Sequence, residues 1–314
     1  MAKIGFLFPG QGAQYVGMGQ ELARQYPSVA RRFQQLNELV GFDLTRLCWE
    51  GPEQELKKTA NQQPAILALS VACMELLAAE GIRPDVAAGL SLGEYGALVA
   101  AGVLSFEEAV PLVRARGTYM QEAVPLGVGC MAAILGLSTG QVDDLCARAA
   151  RETGLHVEGA NYNCPGQVVV SGHTEAVERC MALAVQAGGR AVRLSVTAPF
   201  HSRLLAPAGE RLAEALAAVP LWPAQIPVVA NVTADYVTDP AEIRRLLIEQ
   251  VSRPVRWEES VRRMIADGVD TFVEVGPSRT LTGFLRKIDK GVRALQVEDP
   301  ASLGRVLDSL GRVC

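Results

Sequence analysis

The chain has 314 residues, of which 49% are hydrophobic and 20% are charged, and its formal net charge is -4. This composition provides enough apolar material for a large core and excludes an intrinsically disordered chain. The negative charge argues against a nucleic-acid-binding protein, because phosphate binding needs a concentrated positive field.

The apolar segments and the cysteines indicate the compartment. Residues 1–9 form too short an apolar run for a signal peptide, and no later segment approaches the roughly 18 uninterrupted apolar residues of a membrane helix. The seven cysteines are odd in number and include no C-x-x-C pair, which is typical of a reducing compartment. No metal-ligand spacing is present. We therefore expect a soluble, cytoplasmic protein without a metal.

The first 127 residues alternate strand-like and helix-like segments. A strand beginning at Lys3 leads into a glycine-rich loop. The later predictions are a helical stretch at 63–79, a strand at 85–90 and helices at 95–101 and 106–122. Such alternation predicts a mainly parallel sheet covered by helices.

Residues 128–196 follow a different pattern, of order βαββαβ. Its predicted strands and helices are 128–135, 139–152, 156–161, 168–170, 174–187 and 190–196. That order describes a ferredoxin-like split βαβ unit. The α/β pattern resumes at Thr197, with strands at 228–230 and 271–275. We therefore predict a large hydrolase-like α/β domain of residues 1–127 and 197–314, and an inserted ferredoxin-like domain of residues 128–196.

The segment Gly89-Leu90-Ser91-Leu92-Gly93 has G-x-S-x-G spacing between a strand-like and a helix-like run. A serine on such a turn exposes its hydroxyl at a helix N-terminus, and the N–H of the next residue, Leu92, points where an oxyanion would form. A glycine-rich turn in which Ser91 is only a helix N-cap has the same spacing. The flanking segments favour the nucleophile.

A serine nucleophile needs a base, and the chain has three histidines. His156 falls in a predicted strand and His173 lies beside a glycine before a helix, so both are expected at surface or capping positions. His201 lies in a proline-marked loop between a strand and a helix, where catalytic groups collect. By elimination, His201 is the predicted base.

The loop after the first strand contains Gly10, Gln11 and Gly12. A dinucleotide fingerprint would need glycine where Tyr15 stands, and a Walker loop would need Gly-Lys-Ser/Thr, which the chain lacks. The glycines permit close approach of a ligand and leave the Gln11 N–H free to donate. A second oxyanion donor and a plain strand-to-helix turn both fit this loop.

Arg116 shares the apolar stripe of the predicted helix 106–122, so it should be buried. A buried guanidinium needs a carboxylate. The partner is either an Asp or Glu of the protein, which is the commoner case, or the free carboxylate of a substrate. Taken alone, the pattern favours the internal salt bridge.

Together these motifs resemble the malonyl-CoA:acyl carrier protein transacylases of fatty acid synthesis and the acyltransferase domains of polyketide synthases. The resemblance covers essentially the whole chain, including the segments 161–167 and 274–277. It implies ping-pong transfer of a malonyl group from malonyl-CoA to the phosphopantetheine thiol of acyl carrier protein, through a malonyl-serine. It implies no bound cofactor, since the partner carries the phosphopantetheine.

The resemblance also implies roles for single residues. Ser91 is the nucleophile and His201 its base, Gln11 and Leu92 supply oxyanion N–H groups, and Arg116 clamps the malonyl carboxylate.

Three further positions follow from the resemblance alone. The backbone carbonyl of Gln250 matches the group that orients the histidine in place of a triad acid. Phe200 matches the malonyl-selective pattern, whereas serine there would indicate methylmalonyl. The family commonly has His before the nucleophile, and Leu90 stands there in this chain, which affects the expected rate more than the reaction.

Acyl carrier proteins are acidic, so local basic clusters are candidate docking sites, although each is also compatible with a solvated surface. The clusters are Arg31-Arg32, Lys57-Lys58, Arg244-Arg245, Arg262-Arg263 and Arg286-Lys287. We expect a monomer that binds malonyl-CoA and acyl carrier protein, and neither nucleic acid nor membrane. The sequence leaves open whether fatty acid or polyketide synthesis is served.

Two other functions compete with this prediction. An α/β-hydrolase thioesterase shares the serine turn, but it usually has an acid between the serine and a histidine near the carboxyl terminus, and His201 lies far from that end. A non-catalytic module that binds the carrier protein would have no reason to retain Ser91, His201 and Arg116 together.

Overall fold

The computed structural model describes residues 3–311, so residues 1–2 and 312–314, among them Cys314, lie outside the described residues. Its strands in chain order are β1 Ile4–Phe8, β2 Val86–Gly89, β3 Gly129–Leu135, β4 Val157–Cys164, β5 Gln167–His173, β6 Arg190–Arg193, β7 Val228–Val229, β8 Tyr236–Val237, β9 Thr271–Val275 and β10 Arg293–Val297.

The α-helices of the same residues begin and end as follows. They are α1 Gln20–Gln25, α2 Pro27–Val40, α3 Leu44–Glu50, α4 Glu53–Leu56, α5 Thr59–Ala79, α6 Gly93–Ala100, α7 Phe106–Glu122, α8 Thr139–Thr153, α9 Thr174–Gln186, α10 Ala206–Ala217, α11 Pro240–Gln250, α12 Trp257–Ala266, α13 Thr280–Ile288 and α14 Pro300–Leu310. A short 3₁₀ turn, Arg203–Leu205, precedes α10.

The larger sheet has the strand order β10-β9-β1-β2-β7-β8 and is parallel except for β8. Residues of β2 and β9 are buried throughout, as expected for parallel strands covered on both faces. Because the strands run in the same direction, the segments after β1, β2, β7 and β9 leave from one edge of the sheet. Sequence reasoning missed β8, which has only two residues, and the partly exposed edge strand β10.

The smaller sheet has the strand order β4-β5-β3-β6 and is antiparallel. Helices α8 and α9 connect its strands in the predicted βαββαβ order, and an apolar cluster joins them to the sheet. The predicted α/β fold, with a mainly parallel sheet and a small antiparallel unit, is thereby confirmed. The division into a large domain and an inserted domain of residues 128–196 stays a prediction.

Two strands of the smaller sheet end where the sequence pattern did not indicate. The predicted strand 156–161 continues to Cys164, because shifts of register between Gly159 and Asn161 and after Tyr162 keep it paired with β5. The turn is therefore confined to Pro165 and Gly166. The predicted strand 190–196 ends at Arg193.

Helix α5 is buried along most of its length. Among the described residues it is the one helix long and apolar enough to cross a membrane, but 78% of its apolar window is buried inside the protein. It packs against α2, α6 and α7. Its burial is that of a core helix.

Candidate active site

Ser91 lies on a tight turn between β2 and α6, as the G-x-S-x-G spacing indicates. A Cβ at Gly89 would overlap the backbone of Gly93, and a Cβ at Gly93 would overlap the carbonyl of Phe8. Ser91 itself has φ of 54°, in the left-handed region that non-glycine residues rarely adopt. The two glycines thus permit a turn that holds the serine in a strained conformation at the sheet edge.

His201 is hydrogen-bonded to the serine. Its Nε2 lies 2.7 Å from Ser91 Oγ, and its Nδ1 lies 2.8 Å from the backbone carbonyl of Gln250. Since a carbonyl only accepts, Nδ1 carries the proton and Nε2 is left to accept the proton of the serine hydroxyl. Burial, reinforced by the charge of Arg116, lowers the pKa of His201 to about 4. The imidazole is therefore neutral at neutral pH, as a base must be.

The other two histidines lie in the smaller sheet. The backbone N–H of His156 donates to Nδ1 of His173 at 3.1 Å, and the two rings stack with centroids 5.9 Å apart. His156 is exposed and His173 is half-buried. Neither lines the cavity at Ser91.

Arg116 points its guanidinium at the same serine. The side chain is 1% exposed, and Nη2 lies 3.1 Å from Ser91 Oγ. Its other partners are amide oxygens, Oε1 of Gln63 at 2.9 Å and Oε1 of Gln250 at 2.8 Å. Within residues 3–311 no carboxylate oxygen lies within 4 Å of it, so the internal salt bridge that the helical pattern favours is wrong.

A network of amides that the sequence did not reveal holds the serine turn. Asn231, two residues beyond the end of β7, accepts from the Ser91 N–H at 2.7 Å and donates to the Gly89 carbonyl at 2.7 Å. The Gln250 side chain donates to the Ser91 carbonyl at 3.0 Å and to Glu94 at 2.7 Å. The one feature of the sequence that could have indicated this role is the position of Asn231 at the end of the predicted strand 228–230.

Two backbone N–H groups stand next to the serine turn. The loop after β1 abuts that turn so closely that a Cβ at Gly10 would overlap the Leu90 carbonyl. Within the described part of the chain, the N–H groups of Gln11 and Leu92 donate to no other group of the protein. Both are thus available to a ligand.

A cavity of about 280 Å³ opens at Ser91 between the two sheets. Its walls include Gln11 from the loop after β1, Phe200 from the segment before α10, Met131 and Ala133 from β3, and Asn163 from β4. The Oδ1 atom of Asn163 is buried without a donor among residues 3–311. Among the same residues no cluster of three His, Cys, Asp or Glu side chains could hold a metal ion.

Comparison with known proteins places the whole chain among acyltransferases. Residues 5–309 match the family model described as acyl transferase domain. The chain is 47% identical, over 99% of its length and 98% of the relative, to the malonyl CoA-acyl carrier protein transacylase of Bacillus subtilis strain 168.

Solved structures of similar proteins indicate the same family. The crystal structure of the acyl-carrier-protein S-malonyltransferase of Burkholderia pseudomallei 1710b superposes with a TM-score of 0.95 at 43% identity, covering 98% of this chain and 99% of that one. A malonyl-transacylase in complex with its type II PKS acyl carrier protein superposes with a TM-score of 0.95 at 42% identity, covering 98% of this chain and all of that one.

Proposed function

The chain belongs to the malonyl CoA-acyl carrier protein transacylase family of acyltransferases, and on that premise we propose that it moves a malonyl group through a covalent malonyl-Ser91 intermediate. The donor is malonyl-CoA and the acceptor is the phosphopantetheine thiol of an acyl carrier protein. The observation that carries this proposal is the convergence on one hydroxyl of a neutral imidazole, His201, and an unpaired buried cation, Arg116.

In the first half-reaction, Ser91 Oγ attacks the thioester carbonyl carbon while its proton passes to His201 Nε2. The oxyanion accepts hydrogen bonds from the Gln11 and Leu92 N–H groups, each worth about 3 kcal/mol of barrier in comparable sites. The carbon–sulfur bond then breaks, and the imidazolium returns the proton to the departing coenzyme A sulfur. The Gln250 carbonyl, as the Nδ1–H acceptor, keeps the imidazole in the required tautomer.

In the second half-reaction, the phosphopantetheine thiol attacks the malonyl-serine ester and His201 takes the thiol proton. The ester carbon–oxygen bond breaks, and His201 protonates Ser91 Oγ. The same residues serve both halves, so the reaction is ping-pong and needs no cofactor of its own.

Arg116 supplies the preference for a dicarboxylic acyl group. A carboxylate on the acyl chain would pair with the guanidinium, whereas an acetyl group would leave it buried without a counter-charge. Phe200, 5% exposed in the cavity wall, limits the space beside the acyl group.

The cavity wall offers a partner for the pantetheine arm that coenzyme A and the carrier protein share. Asn163 presents a buried Oδ1 without a donor, and Gln167 lines the same wall. Pantetheine carries amide N–H groups, which are donors of the matching kind.

The test is intact-mass measurement of the protein mixed with malonyl-CoA or with acetyl-CoA. We expect a malonyl adduct that maps to Ser91, is absent from Ser91→Ala and disappears when holo acyl carrier protein is added. In Arg116→Ala, the rate of malonyl adduct formation should fall about 100-fold, in line with about 3 kcal/mol for truncating one partner of a buried charge pair.

Acetyl-CoA is the matched control for Arg116→Ala, because its adduct lacks the carboxylate and should form at a rate that changes little. An adduct discharged by water as fast as by carrier protein would instead assign the chain to thioesterases. No adduct at all would assign it to inactive carrier-binding modules.

A further inference from the structure

Glu94 is a buried carboxylate three residues beyond the nucleophile. Its side chain is 2% exposed, and among residues 3–311 no Lys, Arg or His nitrogen lies within 4 Å of it. Its Oε2 accepts from the Gln250 side-chain amide at 2.7 Å and from the Asn231 N–H at 3.1 Å. Burying such a group without an ion pair is expensive, so its presence beside Ser91 calls for a role.

The Gln250 side chain joins Glu94 to the unpaired cation. Its Oε1 accepts from Arg116 Nη2 at 2.8 Å, while its Nε2 donates to Glu94 Oε2 at 2.7 Å. A cation, one amide and an anion thus form a chain, and the amide dipole is oriented to favour both charges. Glu94 compensates the charge of Arg116 without occupying the guanidinium edge that faces Ser91.

A substrate carboxylate on Arg116 would place a second anion in this enclosure. One cation would then face two carboxylates, and a like charge nearby favours the protonated form of the less well-paired acid. Burial already raises the pKa of Glu94 to about 7, so a small further rise in that pKa protonates the carboxylate near neutral pH. Within the described residues Oε1 accepts no hydrogen bond, so it is free to carry the proton while Oε2 keeps both donors.

We propose that Glu94 is the built-in counter-ion of Arg116 and takes up a proton from solvent when the acyl carboxylate of the substrate pairs with that arginine. Glu94 is in this view a positioning residue for the substrate charge. The inference rests on the proposed function of Arg116 and extends it, because binding of a charged acyl group is then coupled to the uptake of a proton by Glu94.

Within residues 3–311, the side chains next to Glu94 do not supply this proton in place of solvent. The charged, titratable or amide side chains that surround Glu94 and Arg116 are Tyr95 of α6, Gln63 of α5, Asn231 after β7, Gln250 of α11 and His201 before α10. Burial raises the pKa of Tyr95 to about 12, and that of His201 is about 4, so neither changes protonation near pH 7.

The test measures proton uptake with a pH indicator in weak buffer at pH 7, while intact mass follows acylation of Ser91. Malonyl-CoA should cause uptake of roughly half a proton per malonyl-serine, since an acid with a pKa of about 7 is half ionised there. Acetyl-CoA, brought to the same occupancy, should cause none. By linkage, the half-saturating malonyl-CoA concentration for acylation should fall as the pH drops from 8, by at most about tenfold per pH unit.

Glu94→Gln copies the protonated acid and keeps an oxygen for both donors. It should still acylate, but without proton uptake and with a half-saturating concentration independent of pH. Glu274→Gln is the matched control. Burial raises the pKa of Glu274 to about 7 as well, but its carboxylate accepts from the N–H groups of Leu281 and Thr282 instead of joining the Arg116 network. Its proton uptake should equal that of the parent protein.

Malonyl-Ser91 formation without proton uptake, or uptake that survives in Glu94→Gln, would overturn the inference while leaving the proposed function standing. The absence of any malonyl-Ser91 would overturn the proposed function instead. The mass and indicator signals therefore separate the two failures.

Discussion

Burial sets the protonation of the side chains around Ser91. His201 is 3% exposed and lies near the positive Arg116, and both effects disfavour imidazolium. Glu94 is 2% exposed, and its burial disfavours the carboxylate. The site thus combines a neutral base with a carboxylate that is only partly ionised near pH 7, because burial shifts each pKa in the direction that favours the neutral form.

The pKa of His201 predicts the pH dependence of acylation. An ordinary histidine, with a pKa near 6.5, would lose about tenfold in unprotonated base per pH unit below that value. With a pKa of about 4, His201 stays unprotonated, so the saturated single-turnover rate of Ser91 acylation should change less than about twofold between pH 7 and pH 5. Rapid-quench mass measurement checks this, and a decline with a midpoint near pH 6.5 would contradict it.

The same shift affects stability. Because the folded-state pKa of His201 lies below the unfolded value, its contribution to the free energy of unfolding is present above about pH 6.5 and is lost as the pH falls towards 4. Glu94 and Glu274 act in the opposite sense. Because burial raises their pKa values to about 7, the folded state binds protons between about pH 7 and 4.5 that the unfolded chain does not, and the free energy of unfolding rises as the pH falls through that range.

At the scale of elements, two strand-to-helix transitions build the site. The turn between β2 and α6 presents the nucleophile, and Asn231 ties that turn to the segment after β7. From within β9, the Glu274 carboxylate accepts from two N–H groups in the first turn of α13, whose residues Thr280, Leu281 and Phe284 line the cavity.

Substitution of Gly89 tests the steric account of the turn. In Gly89→Ala the new methyl group would overlap backbone atoms of Gly93, which no side-chain movement relieves. We expect the free energy of unfolding to fall by more than about 3 kcal/mol, with loss of Ser91 acylation, since overpacking commonly costs 1–3 kcal/mol even where side chains adjust. Urea unfolding and adduct mass measure both effects.

Gly140→Ala is the matched control for Gly89→Ala. Gly140 lies in α8 with no atom within 4 Å of an added Cβ, so the substitution should raise stability by up to about 1 kcal/mol. A Gly89→Ala protein as stable and as readily acylated as Gly140→Ala would show that the glycine is not required by the turn.

At the scale of the molecule, the cavity lies between the two sheets, and two of the basic clusters belong to segments near it. Lys57 and Lys58 line a neighbouring cleft that shares Gln11 with the cavity, and both are paired with glutamates of α4. Arg286 and Lys287 lie exposed on α13, and within the described residues neither has a carboxylate within 4 Å. An unpaired cluster on a helix that lines the cavity with other residues is the better candidate for an acidic partner.

We therefore predict that Arg286→Ala combined with Lys287→Ala weakens carrier-protein docking. The half-saturating concentration of holo carrier protein that discharges malonyl-Ser91 should rise about fivefold, equivalent to about 1 kcal/mol, and more at low salt than at high salt. Discharge by free pantetheine, which has the thiol without the protein, should not change.

Arg262→Ala combined with Arg263→Ala removes the same charge from a cluster already paired with Glu258, Asp235 and Asp267. Its carrier-protein dependence should match the parent protein. Equal weakening by both double variants would indicate a general charge effect and no docking site on α13.

The sequence by itself determined the features that depend on near neighbours. The helix 106–122 was predicted with the bounds that the structure has, and Arg116 was placed on its buried face, because a period of 3.6 residues is local information. The serine turn followed from the spacing of Gly89 and Gly93. The role implied for Gln250 came from resemblance, since no local pattern distinguishes that residue.

Only the tertiary structure decided what surrounds those residues. The chain separates Ser91 from Asn231 by 140 residues and from Gln250 by 159. Asn231 meets Ser91 because the parallel strands β2 and β7 end at one edge of the sheet, and Gln250 reaches the same turn from the end of α11. The choice between a salt bridge and a free cation at Arg116 likewise depended on which side chains those distant segments bring near. Hydrogen-bond partners of a buried charge are set by packing, and no periodicity along the chain encodes them.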